Sequence, residues 1–205
     1  MVTASEASTM WANGYESMNK LLKKKRGEGD PLNEFALRKC EIGRKNEPHI
    51  LSQVADQFQG TYLPMPGFWK ISYTGSTPDG ILLLPANNIF APHPVICLVE
   101  CKTTEEALPK SLSTRVMAQV IIQMYTTGCP YTIVAYNQVG YHVSYSRKWA
   151  MYWDANVQRV MDIMTEDLIY WQGIMQGPPS EKIRIKSGKG PFYESLFSKV
   201  PVVVL

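Results

Sequence analysis

The sequence predicts an α/β fold, a mixed central β-sheet flanked by helices, and three observations carry that expectation. Helix-period stretches and β-rich runs follow one another as helices, strands bearing an acidic cluster, a helix, more strands and a last helix, which is the order of an α/β sandwich. The 205 residues are enough for one domain with a substantial core, predicted as 1–205 with a loose tail from about 177. Apolar residues make up 45% and charged ones 19%, the mixture of an ordinary globular chain and not of a disordered one.

Taken in order, Thr3-Ala4-Ser5-Glu6 sets hydroxyls before an acidic first turn, the pattern of a helix N-cap, with Ser5 as the cap of a helix through Ala7 to Trp11. Tyr15 to Leu22 continues as helix and ends in the basic run Lys23-Lys24-Lys25-Arg26 before Gly27. Such a run is either a solvated helix end, where cations are favoured, or a contact for a nucleic-acid backbone. Apolar residues from Asn33 to Phe58 recur at helical spacing, with Glu47 inside the pattern, where spacing alone makes it a surface residue. Gly60 to Gly67 reads as a loop or edge strand and Phe68 to Tyr73 as a strand. Gly80 to Leu84 and Val95 to Lys102 form the arms of a hairpin whose connection turns at Asn87-Asn88, with His93 as an exposed loop residue. A helix spans about Thr114 to Thr127, with Gln119 and Gln123 on one face. Tyr131–Tyr136 and Tyr141–Tyr145 alternate as a second hairpin, and Ala150 to about Met175 returns to helical spacing. The apolar end, Val200 to Leu205, either packs on the domain or serves as a subunit contact.

One constellation stands out from this frame. Asp79 follows a turn-forming proline, and Glu100 and Lys102 close an apolar run. Period-2 alternation sends Glu100 and Lys102 to one face, and a strand starting just after Asp79 brings all three charges to one sheet end. Two carboxylates in proximity repel unless a cation sits between them, and oxygen ligands suit Mg²⁺ or Mn²⁺. A lysine beside such a cation can orient or deprotonate a water and offset charge on a phosphate. The plainer alternative is a surface hairpin with a Glu100–Lys102 salt bridge.

Five segments resemble the PD-(D/E)XK nuclease superfamily, in the branch of the bacteriophage lambda exonuclease, also called YqaJ-like viral recombinases. They are Val2–Ser8, Gly43–Glu47, Ser76–Gly80, Val99–Lys102, and Met117–Val120 with Gln123-Met124, in the family's order over most of residues 1 to about 165. The resemblance implies a restriction-endonuclease-like core and a metal-dependent exonuclease that digests duplex DNA from 5′ ends for recombination. It implies that Asp79, Glu100 and the backbone carbonyl of Cys101 hold Mg²⁺ (or Mn²⁺), with Glu47 completing the metal or water contacts. Lys102 would act on the water, Gln119 would steady that lysine, and Ser5 and Thr77 would hold a phosphate. Gln123 and the basic run Lys23–Arg26 would contact double-stranded DNA. A ring-shaped homotrimer and a single-strand annealing protein are the implied partners. The arginine that the family carries a few residues upstream of the first segment has no counterpart here, which points to a trimmed or diverged N-terminus. The same core serves endonucleases, RNA-degrading viral nucleases and non-catalytic DNA-binding modules, and these readings stay open.

Composition excludes less than it permits. A net charge of +3 and a pI near 8.6 are too mild to argue nucleic-acid binding, although a local basic face would serve. No run of eighteen apolar residues and no signal-peptide pattern at Met1 are present, so the expectation is a protein outside membranes and not secreted, in the cytoplasm or a host-cell compartment of a virus or phage. Cys40, Cys97, Cys101 and Cys129 lack C-x-x-C spacing and read as reduced thiols, and with none after Cys129 the iron–sulfur variant of the superfamily is disfavoured.

Overall fold

Ten residues from Val95 to Thr104 make strand β6, and the main sheet is laid down on both sides of it. The computed structural model describes residues 1–6, 11, 15–63, 67–140, 145–177 and 194–205. On one side of β6 lies antiparallel β5 (Gly80–Leu84), itself paired antiparallel with the edge strand β2 (Thr61–Leu63); on the other, β7 (Tyr131–Gln138) is parallel. Antiparallel β8 (Tyr145–Tyr152) and β9 (Val202–Val204) follow, giving the described order β2-β5-β6-β7-β8-β9. A smaller sheet has the order β1 (Val2–Thr3), β4 (Thr74–Ser76), β3 (Trp69–Ile71), with β1 parallel to β4. The long helices among the described residues are α1 (Tyr15–Lys25), α2 (Glu34–Phe58), α3 (Thr114–Thr127) and α4 (Ala155–Gln176). The mixed α/β class expected from the sequence is the one observed.

A parallel β6–β7 pair requires a crossover, which α3 supplies. Its limits follow from chemistry: the Ser113 side chain accepts from Val116 N at one end, and Gly128 adopts a left-handed φ of 70° at the other. Strand β6 is covered on both faces, which explains its almost unbroken apolar run. Cys97 and Val99, with Leu82 and Leu84, meet Ile50, Leu51 and Val54 of α2. Leu98, with Ile81, Val134, Trp149 and Met151, meets α3 and α4.

Several elements depart from the sequence reading. Phe68 to Tyr73 is not one strand: Trp69–Ile71 turns at Ser72 and pairs with Thr74–Ser76 in the small sheet. The second arm of the later hairpin was expected at Tyr141–Tyr145; residues 141–144 lie outside the described ones, and Tyr145 begins β8. The last helix starts at Ala155 instead of Ala150, because Ala150 and Met151 are laddered to Ile133 and Thr132 and buried. Asp154 then opens the helix by accepting from Asn156 N and Val157 N. The end of the chain is not loose throughout. Leu196, Phe197 and Val200 are buried, and Val202–Val204 pairs with β8; residues 178–193 lie outside the described ones. At the other end the cap is Thr3, whose N–H and hydroxyl both donate to Glu6 Oε2, while Ser5 falls in the first helical turn. Residues 7–10 of that predicted helix lie outside the described ones. Asn87 and Asn88 form the expected turn: Asn87 has a φ of 60°, and the Asn88 side chain accepts from Phe90 N and Ala91 N and donates to the carbonyls of Pro85 and His93. His93 is exposed. Among the described residues no helix is long and apolar enough to cross a membrane.

The seat of α2 on the sheet bears directly on the charged cluster. Gly80 lies under Leu51, so close that an added Cβ would stand 2.4 Å from Leu51 Cδ2. Leu51 is one turn after Glu47 on the same helix face, so this contact carries Glu47 to the residue before Gly80, which is Asp79. Gly80→Ala is expected to destabilise the protein by about 1–3 kcal/mol through overpacking, read from the urea midpoint. An unchanged midpoint would mean that α2 is not seated on this glycine.

Candidate active site

Extending the β5–β6 register explains why the two carboxylates meet. Gly80 pairs with Val99, so the preceding Asp79 lies opposite Glu100, and both point to the α3 face. Continuing the ladder by another residue would bring Pro78 opposite Cys101, and proline has no N–H to give it. The ladder stops, and the Cys101 N–H instead donates to Asp79 Oδ2 at 2.7 Å. A strand end, a proline and an aspartate thus convert a sheet hydrogen bond into an anchor for a carboxylate.

Glu100 is only 1% exposed, and burying a lone carboxylate costs several kcal/mol. Three donors offset that cost. Lys102 Nζ and Gln119 Nε2 (2.6 Å) donate to its Oε1, and Gln123 Nε2 (2.6 Å) donates to its Oε2. Gln119 also closes the ring by accepting from Lys102 Nζ at 3.1 Å. The ion pair of the plain reading forms, but not on a surface hairpin: Glu100 is buried beneath α3 and Lys102 is half-buried beside it. Gln123 Oε1 is buried with no hydrogen-bond partner: the charge-assisted bond to Glu100 fixes the amide in the orientation that leaves its oxygen unsatisfied.

Electrostatics follow from this crowding. Burial first, and then the Glu100 charge opposite, push the Asp79 carboxyl up to about 8. Glu47 is raised for the same two reasons, in the same order, against an opposing effect of Lys102. Burial works to lower Lys102, but the charge and hydrogen bond of Glu100 and the charge of Asp79 outweigh it, and the ammonium form is favoured. The Cys101 thiol is pushed far up by burial and by Asp79, so at neutral pH only its backbone carbonyl is a hard donor.

The remaining expected site residues are distributed unevenly. Thr77 is exposed at the end of β4, and Ser5 comes two residues after Thr3, which pairs with Gly75. The parallel β1–β4 pair therefore sets both hydroxyl residues just past the ends of adjacent strands. Gln123, expected to touch DNA, is 1% exposed and is a Glu100 holder instead. Of the basic run, Lys25 pairs with Glu6 at 2.7 Å, Lys24 lies 4.0 Å from the same carboxylate, and Arg26 donates to the carbonyls of Ile174 and Gly177. Much of that run ties α1 to its neighbours; Lys23 is exposed.

Sequence reasoning missed Tyr136. It pairs with Lys102 across the parallel β6–β7 ladder and is held edge-on by Trp149, with ring centroids 5.5 Å apart. Only the register of a long-range strand pair reveals this neighbour. Burial raises its phenol, against the pull of Lys102 and Arg115. All four cysteines are free thiols, as expected.

The donor set suits a hard divalent cation of the Mg²⁺ or Mn²⁺ type. Among the described residues no three of His, Cys, Asp and Glu form a side-chain cage, but such cations bind by one or two carboxylates, a carbonyl and waters. Asp79, Glu100 and the Cys101 carbonyl are that kind of set, and the mutual repulsion that lifts Asp79 is what a cation would relieve.

The fold is of a known class, the α/β fold of exonuclease structures. The chain is similar to the alkaline exonuclease LHK-Exo from Laribacter hongkongensis, at 14% identity and a TM-score of 0.61, over 85% of this chain and 87% of that one. The same exonuclease in complex with dAMP matches at 16% identity and a TM-score of 0.57, over 97% and 92%. A phage-related exonuclease from Haemophilus somnus 129PT matches at 8% identity and a TM-score of 0.58, over 85% and 92%. No protein-family profile and no curated protein matches the sequence. At such identities the likeness is one of fold, and the fold is the one that the five sequence segments imply.

The Asp79 shift has a measurable consequence. Its folded value near 8 lies above the ordinary 3.8, so between these limits the folded state binds the extra proton and metal-free stability falls as pH rises. In chelator, the urea midpoint is expected to decline from about pH 5 to pH 8, with the decline flattened in Asp79→Asn. Added Mn²⁺ should restore the unsubstituted protein alone at the upper end. Equal slopes for the two proteins would mean that Asp79 is not crowded by Glu100.

Proposed function

We propose that the protein is a metal-dependent deoxyribonuclease that hydrolyses phosphodiester bonds, acting as a 5′-to-3′ double-strand exonuclease in recombination. The observation that carries this reading is the placement of Asp79 across from a buried Glu100 whose other oxygen contacts are Lys102, Gln119 and Gln123. A cation held by Asp79, Glu100 and the Cys101 carbonyl, with Glu47 beside them, would supply a more acidic bound water and positive charge for the phosphate.

The chain's own groups do the rest. Lys102, held as an ammonium, donates toward the attacking water or a phosphate oxygen; its raised pKa favours orienting over proton removal. Gln119 fixes the ammonium against Glu100, so that Nζ keeps one direction instead of sampling its many rotamers. Ser5 and Thr77 offer hydroxyls to a phosphate at the neighbouring strand end. The exonuclease names among the fold neighbours and the order of the five segments support duplex DNA as substrate. A homotrimer and a single-strand annealing partner belong to the same reading, and the exposed Val203 and Val204 on edge strand β9 give such an assembly an apolar face.

With Mg²⁺, the protein should shorten 5′-phosphorylated linear duplexes and leave closed circles intact; cut circles would make it an endonuclease. Asp79→Asn and Lys102→Ala should each lower the cleavage rate by about 10²–10³-fold or more, and Gln119→Ala by about 10–100-fold. Equal activity in Asp79→Asn would overturn the role of Asp79, and no cleavage by either protein would leave a non-catalytic DNA-binding module.

A further inference from the structure

An exposed aromatic ring, Phe68, stands just before β3, the strand that pairs with β4 ahead of the site. Phe68 is 50% exposed, yet its ring is not loose: a Cβ added at Gly75 would come within 2.3 Å of its Cζ and 2.7 Å of its Cε1. One side of the ring therefore rests on the Gly75 backbone while half of the residue stays in water. Trp69 packs inward on the core, so the residues either side of it, Phe68 and the exposed Lys70, turn outward together. Trp69 pairs with Ser76 and Lys70 with Gly75, so Phe68 lies alongside Thr77, two residues before Asp79. The outer face of the small sheet thus presents a fixed ring, a cation and a hydroxyl, and the strand that carries the hydroxyl runs on into the carboxylate site.

We propose that Phe68 is a stacking platform for a base at the end of the DNA strand whose phosphate enters the site, with Lys70 taking the adjoining backbone phosphate. The proposal rests on the nuclease reading and adds the residue that positions the strand. A base has an apolar face whatever its identity, so a preset ring gives grip without sequence preference, as an enzyme working along a strand requires. Because the ring is already fixed by Gly75, little side-chain freedom is lost when a base covers it. Lys70 adds the salt-dependent part of the grip.

The test uses the full chain with Asp79→Asn, which binds without cutting, and a 5′-phosphorylated duplex with a short 5′ overhang carrying 2-aminopurine at its end. Phe68→Ala and Phe68→Leu should each weaken binding, read by anisotropy, by about 10–100-fold and abolish the quenching of 2-aminopurine. Phe68→Trp should preserve both. Full binding and quenching in Phe68→Leu would overturn the proposal, since leucine covers Gly75 as well but cannot stack. Failure of the parent to bind the duplex would overturn it together with the nuclease reading. Stacking in the parent combined with no cleavage by the unsubstituted protein in Mg²⁺ would support the platform and sink the nuclease reading alone.

Discussion

The structure around the charged cluster depends on how one carboxylate is held away from water. Glu100 sits on the central strand beneath α3, where a chain ordinarily places leucine or valine, and its burial is tolerated because Lys102, Gln119 and Gln123 supply three N–H donors. Those donors dictate what surrounds them. Helix α3 must present glutamines one turn apart toward the sheet, β6 must carry a lysine two residues on, and the crossover from β6 to β7 must bring the helix over that spot. A charge that would destabilise an unprepared core thereby gains a fixed direction.

Asp79 and Glu47 are held differently. Asp79 takes a backbone N–H left over where the ladder meets Pro78, and Glu47 arrives through the packing of Leu51 on Gly80. Neither has the density of donors that Glu100 has. Their carboxyls are consequently the ones pushed upward by burial and by Glu100, so that they hold protons which a cation would displace. Electrostatics of this kind favour a ligand that brings positive charge.

Much of this was legible in the sequence where local rules decide. The span of α3, about Thr114 to Thr127, follows from helical spacing, and alternation in Val95–Lys102 puts Glu100 and Lys102 on one face. The gathering of Asp79, Glu100 and Lys102 was readable because a hairpin carries them. Features set by distant partners were not. Tyr136 meets Lys102 only through a parallel pairing, Ala150 is strand because of its ladder to Ile133, and β9 finds β8 across the whole last helix. The basic run looked like a free patch because its acceptors, Glu6 and the carbonyls of Ile174 and Gly177, are far off in sequence. The glutamine helix supplied the right residues, but the role of Gln123 turned on burial, which spacing does not specify.

The unit β6–α3–β7 is continuous in the chain, and it alone contains Glu100, Lys102, Gln119, Gln123 and Tyr136. Contacts within it close short loops, so this half of the cluster can assemble at small entropic cost before either end of the molecule has docked. Asp79 and Glu47 then join a scaffold that is already formed. Substitutions inside the unit should consequently change how quickly the chain reaches its native state, whereas those at residues 79 and 47 should act mainly on how long it stays there.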